Sequence, residues 1–245
     1  MLPFDYAPRN RLLAALPPES LARLLPHLRL EDLSLRQVVH EVEVPIATVY
    51  FPETGWASML SYMEDGDAAE VGLMGREGMI GLPVLLGDEY DDLEAIIQCQ
   101  GTALSLSADA FRAALDSDPV LRNLMLRYAL VHHGQVTRTA ACNGRHHTEQ
   151  RLARWMLMAH DRTEGDSFPM THEFLSMMLG VRRAGITVAA GILQKAQLIR
   201  YERGQITVTD RAGLEGASCE CYGIARRAQD RLFASAPCQE LSHHR

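Results

Sequence analysis

The spacing of apolar residues changes character three times along the 245-residue chain. Near its start, Leu12, Leu13 and Leu16, then Leu21, Leu24 and Leu25, recur at helical intervals around Pro17-Pro18. An interrupted helical segment is therefore expected over about residues 9–25. From Leu33 to Leu106 the period shortens. Val38, His40, Val42 and Val44 alternate with Val39, Glu41 and Glu43, and Ala47–Phe51 and Ala57–Met63 are short β-favouring runs. Ala95–Leu106 reads as the last strands. Turn signals recur at Pro45, at Pro52-Glu53-Thr54-Gly55, at Glu64-Asp65-Gly66-Asp67, at Gly75 and at Gly87-Asp88. Many short strands between such breaks imply a β-sandwich or barrel.

Asp118-Pro119 then pairs an N-cap with proline at the first helical position and predicts a long helix over about residues 118–145. Leu121, Leu124, Tyr128, Val131 and Gln135 lie three and four apart on it. Such a stripe serves either a second copy or the chain's own β-region; the expectation taken here is a dimer seam. From Thr148, which can cap a helix, Leu152, Trp155, Met156 and Ala159 form the next apolar face. After a polar loop over residues 161–167 come a helix at Thr171–Leu179, Gly180, and a second helix near Arg182–Lys195. Leu198–Glu202 and Gln205–Thr209 are short strands joined through Arg203-Gly204, a two-residue hairpin turn.

Helix, glycine turn, helix and hairpin is the layout of a winged helix-turn-helix. The first helix would bury Phe174, Leu175, Met178 and Leu179, and the second Ile186, Ala189, Ala190 and Leu193. Arg182, Arg183 and Thr187 are left outside the core at the end of a recognition helix that reaches base edges. Arginine's planar fork gives two hydrogen bonds to guanine, worth roughly 1–3 kcal/mol of discrimination. Thr171 could donate to a phosphate.

Charge sharpens this division. Residues 1–115 hold 7 basic and 18 acidic side chains, whereas residues 147–211 hold 9 and 7, so a polyanion is repelled by the front half and tolerated by the back. Apolar runs such as Met79–Leu86 are too short to span a bilayer, and the start of the chain lacks the pattern of a secretory signal. Five cysteines, an odd number, fit a reducing cytoplasm. The lone lysine, Lys195, does not follow a glycine, which excludes a Walker-type phosphate loop.

The stretch from Thr171 to Ile199, THEFLSMMLGVRRAGITVAAGILQKAQLI, resembles the DNA-binding module of the Crp/Fnr transcription regulators. Tyr50-Phe51-Pro52-Glu53-Thr54-Gly55 and Glu77-Gly78-Met79-Ile80-Gly81-Leu82-Pro83 resemble the cyclic-nucleotide-binding-like β-roll of one branch of that family. The resemblance implies an α+β chain with a jelly-roll effector domain over residues 1–116 and a dimerisation helix over 117–146. A winged helix-turn-helix over 147–223 and a helical tail over 224–245 follow. It also implies a homodimer on a palindromic site, with double-stranded DNA and RNA polymerase as partners. Arg182 and Arg183 match base- and phosphate-contacting positions, and Thr171 with His172 match backbone contacts. Thr187 and the turn residue Arg203 complete the expected DNA-binding set. Ala184 stands where the family often carries glutamate, so the preferred DNA sequence does not transfer.

The effector pocket departs further. Cyclic-nucleotide binders of the family begin their phosphate cassette with Gly-Glu and continue with Arg-Ser. Here Gly81 is followed by Leu82, Leu93-Glu94 stand near the Arg-Ser place, and the acidic run Asp88–Asp92 borders the loop. Carboxylates facing a phosphate repel it, so cAMP binding is not expected; the effector is an unknown small molecule or none. No cofactor and no catalytic group are expected. A metal site at Cys219-Glu220-Cys221, with Cys238, His243 and His244, ranks below plain packing thiols, because on a helix the two sulfurs would lie about 200° apart. The adjacent pairs His132-His133 and His146-His147 diverge by about 100° on a helix and form no natural chelate. The competing class is a cupin-like metal-dependent enzyme with an accessory helical domain, for which His40 is the strands' single candidate ligand.

Overall fold

The computed structural model describes residues 2–3 and 5–234. Two short helices, α1 (Arg11–Ala14) and α2 (Pro18–Leu24), open the chain and are separated at Pro17-Pro18 as the proline pair dictates. Asn10 caps α1 by accepting from the Leu12 and Leu13 amides, while its Nδ2 donates to the carbonyls of Pro52 and Gly78.

Seven strands follow: β1 (Arg29–Leu33), β2 (Val38–His40), β3 (Thr48–Pro52), β4 (Trp56–Tyr62), β5 (Ala68–Met74), β6 (Glu94–Cys99) and β7 (Gly101–Ser107). They form two antiparallel sheets, β1-β7-β3 and β2-β6-β4-β5, with the short helix α3 (Leu82–Leu86) between β5 and β6. The buried Leu33, Val49, Phe51, Ile80, Ile97, Leu104 and Phe111 belong to one core between them. The expected alternation over Val38–Val44 ends at His40. Val38, Val42 and Val44 are exposed and His40 is buried, because the chain turns after His40 instead of continuing the strand.

A helix that the turn signals did not predict, α4 (Ala108–Ser117), follows directly on β7 and is capped by Ser107. The long helix α5 (Pro119–Arg145) begins at the predicted cap, Asp118, whose carboxylate accepts from the Val120 and Leu121 amides and pairs with Arg23 at 2.7 Å. Burial alone would raise this carboxyl, but these hydrogen bonds outweigh it and hold the group down at about 2.

The back half comprises α6 (Thr148–His160), β8 (Ser167–Pro169), α7 (His172–Leu179), α8 (Arg183–Lys195), β9 (Ile199–Glu202), β10 (Gln205–Val208), α9 (Arg211–Ala217) and α10 (Cys221–Ala234). His147, not Thr148, occupies the cap of α6, and its amide donates to the Gln150 side chain at 3.2 Å. The hairpin gains a third strand, giving the order β8-β10-β9. α10 runs across position 223, where a boundary was expected.

The two halves share an interior. Trp56, Leu60 and Leu73 of the β-roll join Trp155, Phe168, Leu175 and Leu179 of the back half in one buried cluster. The Trp56 and Phe168 rings meet edge-on at 6.0 Å. Glu70 on β5 is buried there and accepts from Ser58 Oγ at 2.5 Å and Trp155 Nε1 at 2.8 Å. Beside it, Arg162 donates through Nε to Glu77 at 2.9 Å, and both side chains are buried. A paired buried charge is destabilising to break, so this bridge fixes one docking of the halves.

Candidate nucleic-acid interface

Thr171 starts α7 by accepting from the Phe174 amide at 3.1 Å. Gly180 ends it in the left-handed region (φ 58°), and the Gly180 and Val181 amides bond back to Met177 and Ser176. The chain then turns by 106° into α8, within the range of helix-turn-helix motifs. Ile186, Ala189, Ala190 and Leu193 are buried as expected, as are Leu175, Met178 and Leu179, while Phe174 is half-buried.

Arg182 is the N-cap residue of α8 and Arg183 its first residue; both are exposed, and neither has a carboxylate partner among the described residues. No acidic residue lies in the first turn and no side chain caps it, so free amides and the positive end of the helix dipole face outward beside two guanidinium groups. That arrangement attracts an anion.

Thr171 and His172 differ in what they leave available. The Thr171 hydroxyl accepts its cap bond and retains its proton for a further acceptor. His172 stacks on Tyr201 (4.3 Å, 18° between planes) with Nδ1 3.2 Å from Thr187 Oγ1, and Thr187 also donates to the Arg183 carbonyl at 3.1 Å. Burial and then the Arg183 charge push the imidazole below its usual pKa. His172 and Thr187 thus join α7, α8 and the wing to each other. Sequence reasoning missed Val188, 64% exposed on the outer face of α8, and the exposed Ile192. A single apolar residue on the solvent side of a helix carries little signal by itself. In the wing turn, Arg203 (φ 50°) and Gly204 (φ 76°) both take left-handed conformations, as the two-residue hairpin requires, and Arg203 is exposed.

The helix stripe expected to meet a second copy is already covered. Leu121, Leu124 and Tyr128 belong to the chain's own β-roll core, with Val131 packed against it. Tyr128 Oη accepts from the Met79 amide at 3.1 Å. Burial drives that phenol far above its usual pKa. Gln135 Oε1 receives Gln229 of α10. The physical reason is geometric: α5 lies along the roll, so its most apolar stripe fills the intramolecular contact. Asn123, Leu126, Leu130, His133, Thr137, Ala140 and Gly144, again three and four apart, are all exposed on another face of α5.

At the expected effector pocket, Gly81 adopts φ 102°, and an added Cβ would lie 2.8 Å from Val49 and 3.1 Å from His40. Leu82 and Leu93 are half-buried against the core. Glu94 accepts from Tyr62 Oη at 2.7 Å, a bond that raises that phenol to about 12. The acidic loop folds on itself, with Asp88 accepting from the Glu89 and Tyr90 amides and Asp91 from Leu93. The two glutamates in the family-like motifs are structural: Glu53 receives the Arg9 and Asn10 amides, and Glu77 receives Arg162. His40 is buried, with its Nε2 2.7 Å from the Thr48 carbonyl oxygen, and burial lowers its pKa. It packs in the roll, so the cupin-like reading loses its single strand ligand.

Cys219 precedes α10 and Cys221 is its first residue, so the 200° separation expected for two helical positions does not apply. Cys238, His243 and His244 lie outside the described residues. No single helix among the described residues is long and apolar enough to cross a membrane.

Residues 32–118 match the cyclic nucleotide-binding domain model, and residues 150–217 match the Crp-like helix-turn-helix domain. No curated protein matches the chain by sequence. Among solved structures, FixK2 from Bradyrhizobium japonicum aligns over 78% of this chain and 98% of its own, with 14% identity and a TM-score of 0.68. A Crp/Fnr-family transcriptional regulator from Thermus thermophilus aligns over 78% and 98%, with 19% identity and a TM-score of 0.64. The c-di-GMP-responsive global regulator CLP from Xanthomonas campestris covers 78% and 99%, with 16% identity and a TM-score of 0.57. Identities this low establish a shared fold, while the two family models identify the domains that the fold combines. With a cyclic-nucleotide-binding-like roll, a long connecting helix and a Crp-like winged helix-turn-helix in that order, the chain belongs to the Crp/Fnr family of transcriptional regulators.

Proposed function

We propose that this protein is a sequence-specific DNA-binding regulator that acts as a homodimer on a palindromic site, and that its effector domain does not take cAMP. The observation that carries the reading is the exposed Arg182-Arg183 guanidinium pair, without a carboxylate partner among the described residues, at the start of α8. Arg183, with the exposed Val188 five residues further along α8, reads bases, while Arg182, Thr171 and the wing residue Arg203 hold phosphates. His172 and Thr187 position these groups.

The exposed stripe centred on Leu126 and Leu130 is the face offered to the second copy, replacing the buried one. Against cAMP stand the absence of a cation at Leu93-Glu94 and the apolar helix that follows Gly81. The partners are the duplex, the second copy and RNA polymerase.

A band-shift with genomic fragments over a salt series tests the core of this. A specific fragment should be retained against competitor DNA and released as salt rises. Arg183→Ala should cost about 1–3 kcal/mol and relax the site preference. An unchanged preference removes Arg183 from base readout, and no retained fragment even in low salt defeats the reading.

A further inference from the structure

Three thiols and one imidazole meet at the joint between the long helix and the DNA-binding half. Cys142 and His146 stand one turn apart at the end of α5, and Cys219 and Cys221 come from the α9–α10 connection. One donor atom from each lies within 4.8 Å of all the others, and the three cysteines are buried. Cys142 Sγ is 3.5 Å from Cys219 Sγ, and Cys221 Sγ is 3.8 Å from His146 Nδ1. A tetrahedral ion with bonds of ~2.3 Å to sulfur places its ligands about 3.8 Å apart, so the observed edges fit a single ion. A multi-iron cluster needs its outer ligands spread wider, because bridging sulfides separate the irons.

The imidazole is oriented for this task. Its Nδ1 faces the thiols while Nε2 lies 3.2 Å from a Glu220 carboxylate oxygen. A carboxylate that receives the outer N–H of a histidine fixes the tautomer and leaves the inner nitrogen free to ligate. Ordinary packing of buried cysteines explains none of this convergence, since it needs neither a histidine nor a carboxylate behind it.

We propose that Cys142, His146, Cys219 and Cys221 form a closed tetrahedral site for one borderline-soft divalent cation, zinc being the type. Three sulfurs and one nitrogen exclude magnesium and calcium, which take oxygen ligands. Four protein ligands leave no open position, so the ion is structural and supplies no reaction. Binding releases the thiol protons to solvent. A divalent ion with three thiolates carries one net negative charge, and the guanidinium groups of Arg151 and Arg154 lie within electrostatic reach of Cys142 to balance it. The ion pins the end of α5 to the start of α10 and so stiffens the extended residues His146 and His147 that lead into α6.

Sequence reasoning weighed Cys219 and Cys221 but missed Cys142, 77 residues away from Cys219 along the chain. A cysteine and a histidine four apart at a helix end, far from a Cys-x-Cys pair, was the available signal.

The test is elemental mass spectrometry of the full chain purified under reducing conditions, followed by chelation and titration with cobalt(II). The expected result is one zinc per chain, replaced by cobalt with sulfur-to-metal charge-transfer and tetrahedral d–d absorption. Cys142→Ser and Cys221→Ser should lose the ion, and Cys99→Ser and His147→Ala should keep it. Glu220→Gln, whose side chain is exposed and whose loss spares the fold, should weaken affinity about 10–100-fold. A folded chain that neither retains zinc nor binds cobalt overturns the site, and so does intact mass showing a native Cys142–Cys219 disulfide. Metal content unaffected by both cysteine variants and by Glu220→Gln overturns it equally.

Discussion

Helices α5 and α8 each carry an apolar stripe and a second face, yet they use them in opposite senses. On α8 the stripe of Ile186, Ala189, Ala190 and Leu193 fills the local core and the other face meets solvent, as the spacing predicts. On α5 the stripe predicted for a partner chain fills the chain's own roll, and a less apolar face carrying Leu126 (47% exposed) and Leu130 (71% exposed) is left outside. Periodicity reports that a face is covered. It does not report what covers it.

The contrast on α5 can be broken most forcefully from inside. Leu124→Ala should cost about 2–5 kcal/mol in denaturant unfolding at any protein concentration, because the cavity forms within one chain. A cost that vanishes on dilution would return Leu124 to a dimer seam.

Next in size is the junction that presses α6 and β5 together. Burial raises the Glu70 carboxyl to about 7 against the hydrogen bonds from Ser58 and Trp155 and the charges of Arg162 and Arg154. The folded state therefore holds this proton more tightly than the unfolded chain, whose reference value is 4.5. Its stabilising contribution is complete below pH 4.5 and is lost as pH rises through 7. The difference in unfolding free energy between wild type and Glu70→Gln should move in that direction, by on the order of 3 kcal/mol. A flat difference across that range refutes the buried-proton account.

Smallest in folding terms are the outer faces themselves. Leu130→Asp and Val188→Ser should each change unfolding free energy by less than about 0.5 kcal/mol. Sedimentation should nevertheless show Leu130→Asp shifting dimer toward monomer, and the band-shift should show Val188→Ser weakening DNA retention without changing assembly. If both variants behave alike, the two outer faces have not been correctly distinguished.

The parts legible in advance were those in which the deciding interactions are short. Thr171 caps its own helix, Gly180 supplies its own left-handed stop, and Arg203-Gly204 makes its own turn, all within a few residues. The same locality made Arg182 and Arg183 readable as exposed. β5, β8 and α4 were not anticipated, since short segments acquire their identity from the strands and helices they pair with. The alternating valines after Val38 misled because alternation alone does not say where a strand stops.

The chain's order of residues by itself determined the class of fold, the helix-turn-helix with its wing, and the arginine pair that faces outward, because capping, turn conformation and periodicity act between near neighbours. Tertiary structure alone decided which face of α5 stays exposed. It also made Glu53, Glu70 and Glu77 structural and brought Cys142 and His146 to Cys219 and Cys221. Those outcomes depend on which distant segment supplies the partner for a buried polar atom or an apolar stripe, and that pairing is settled only when the whole chain packs.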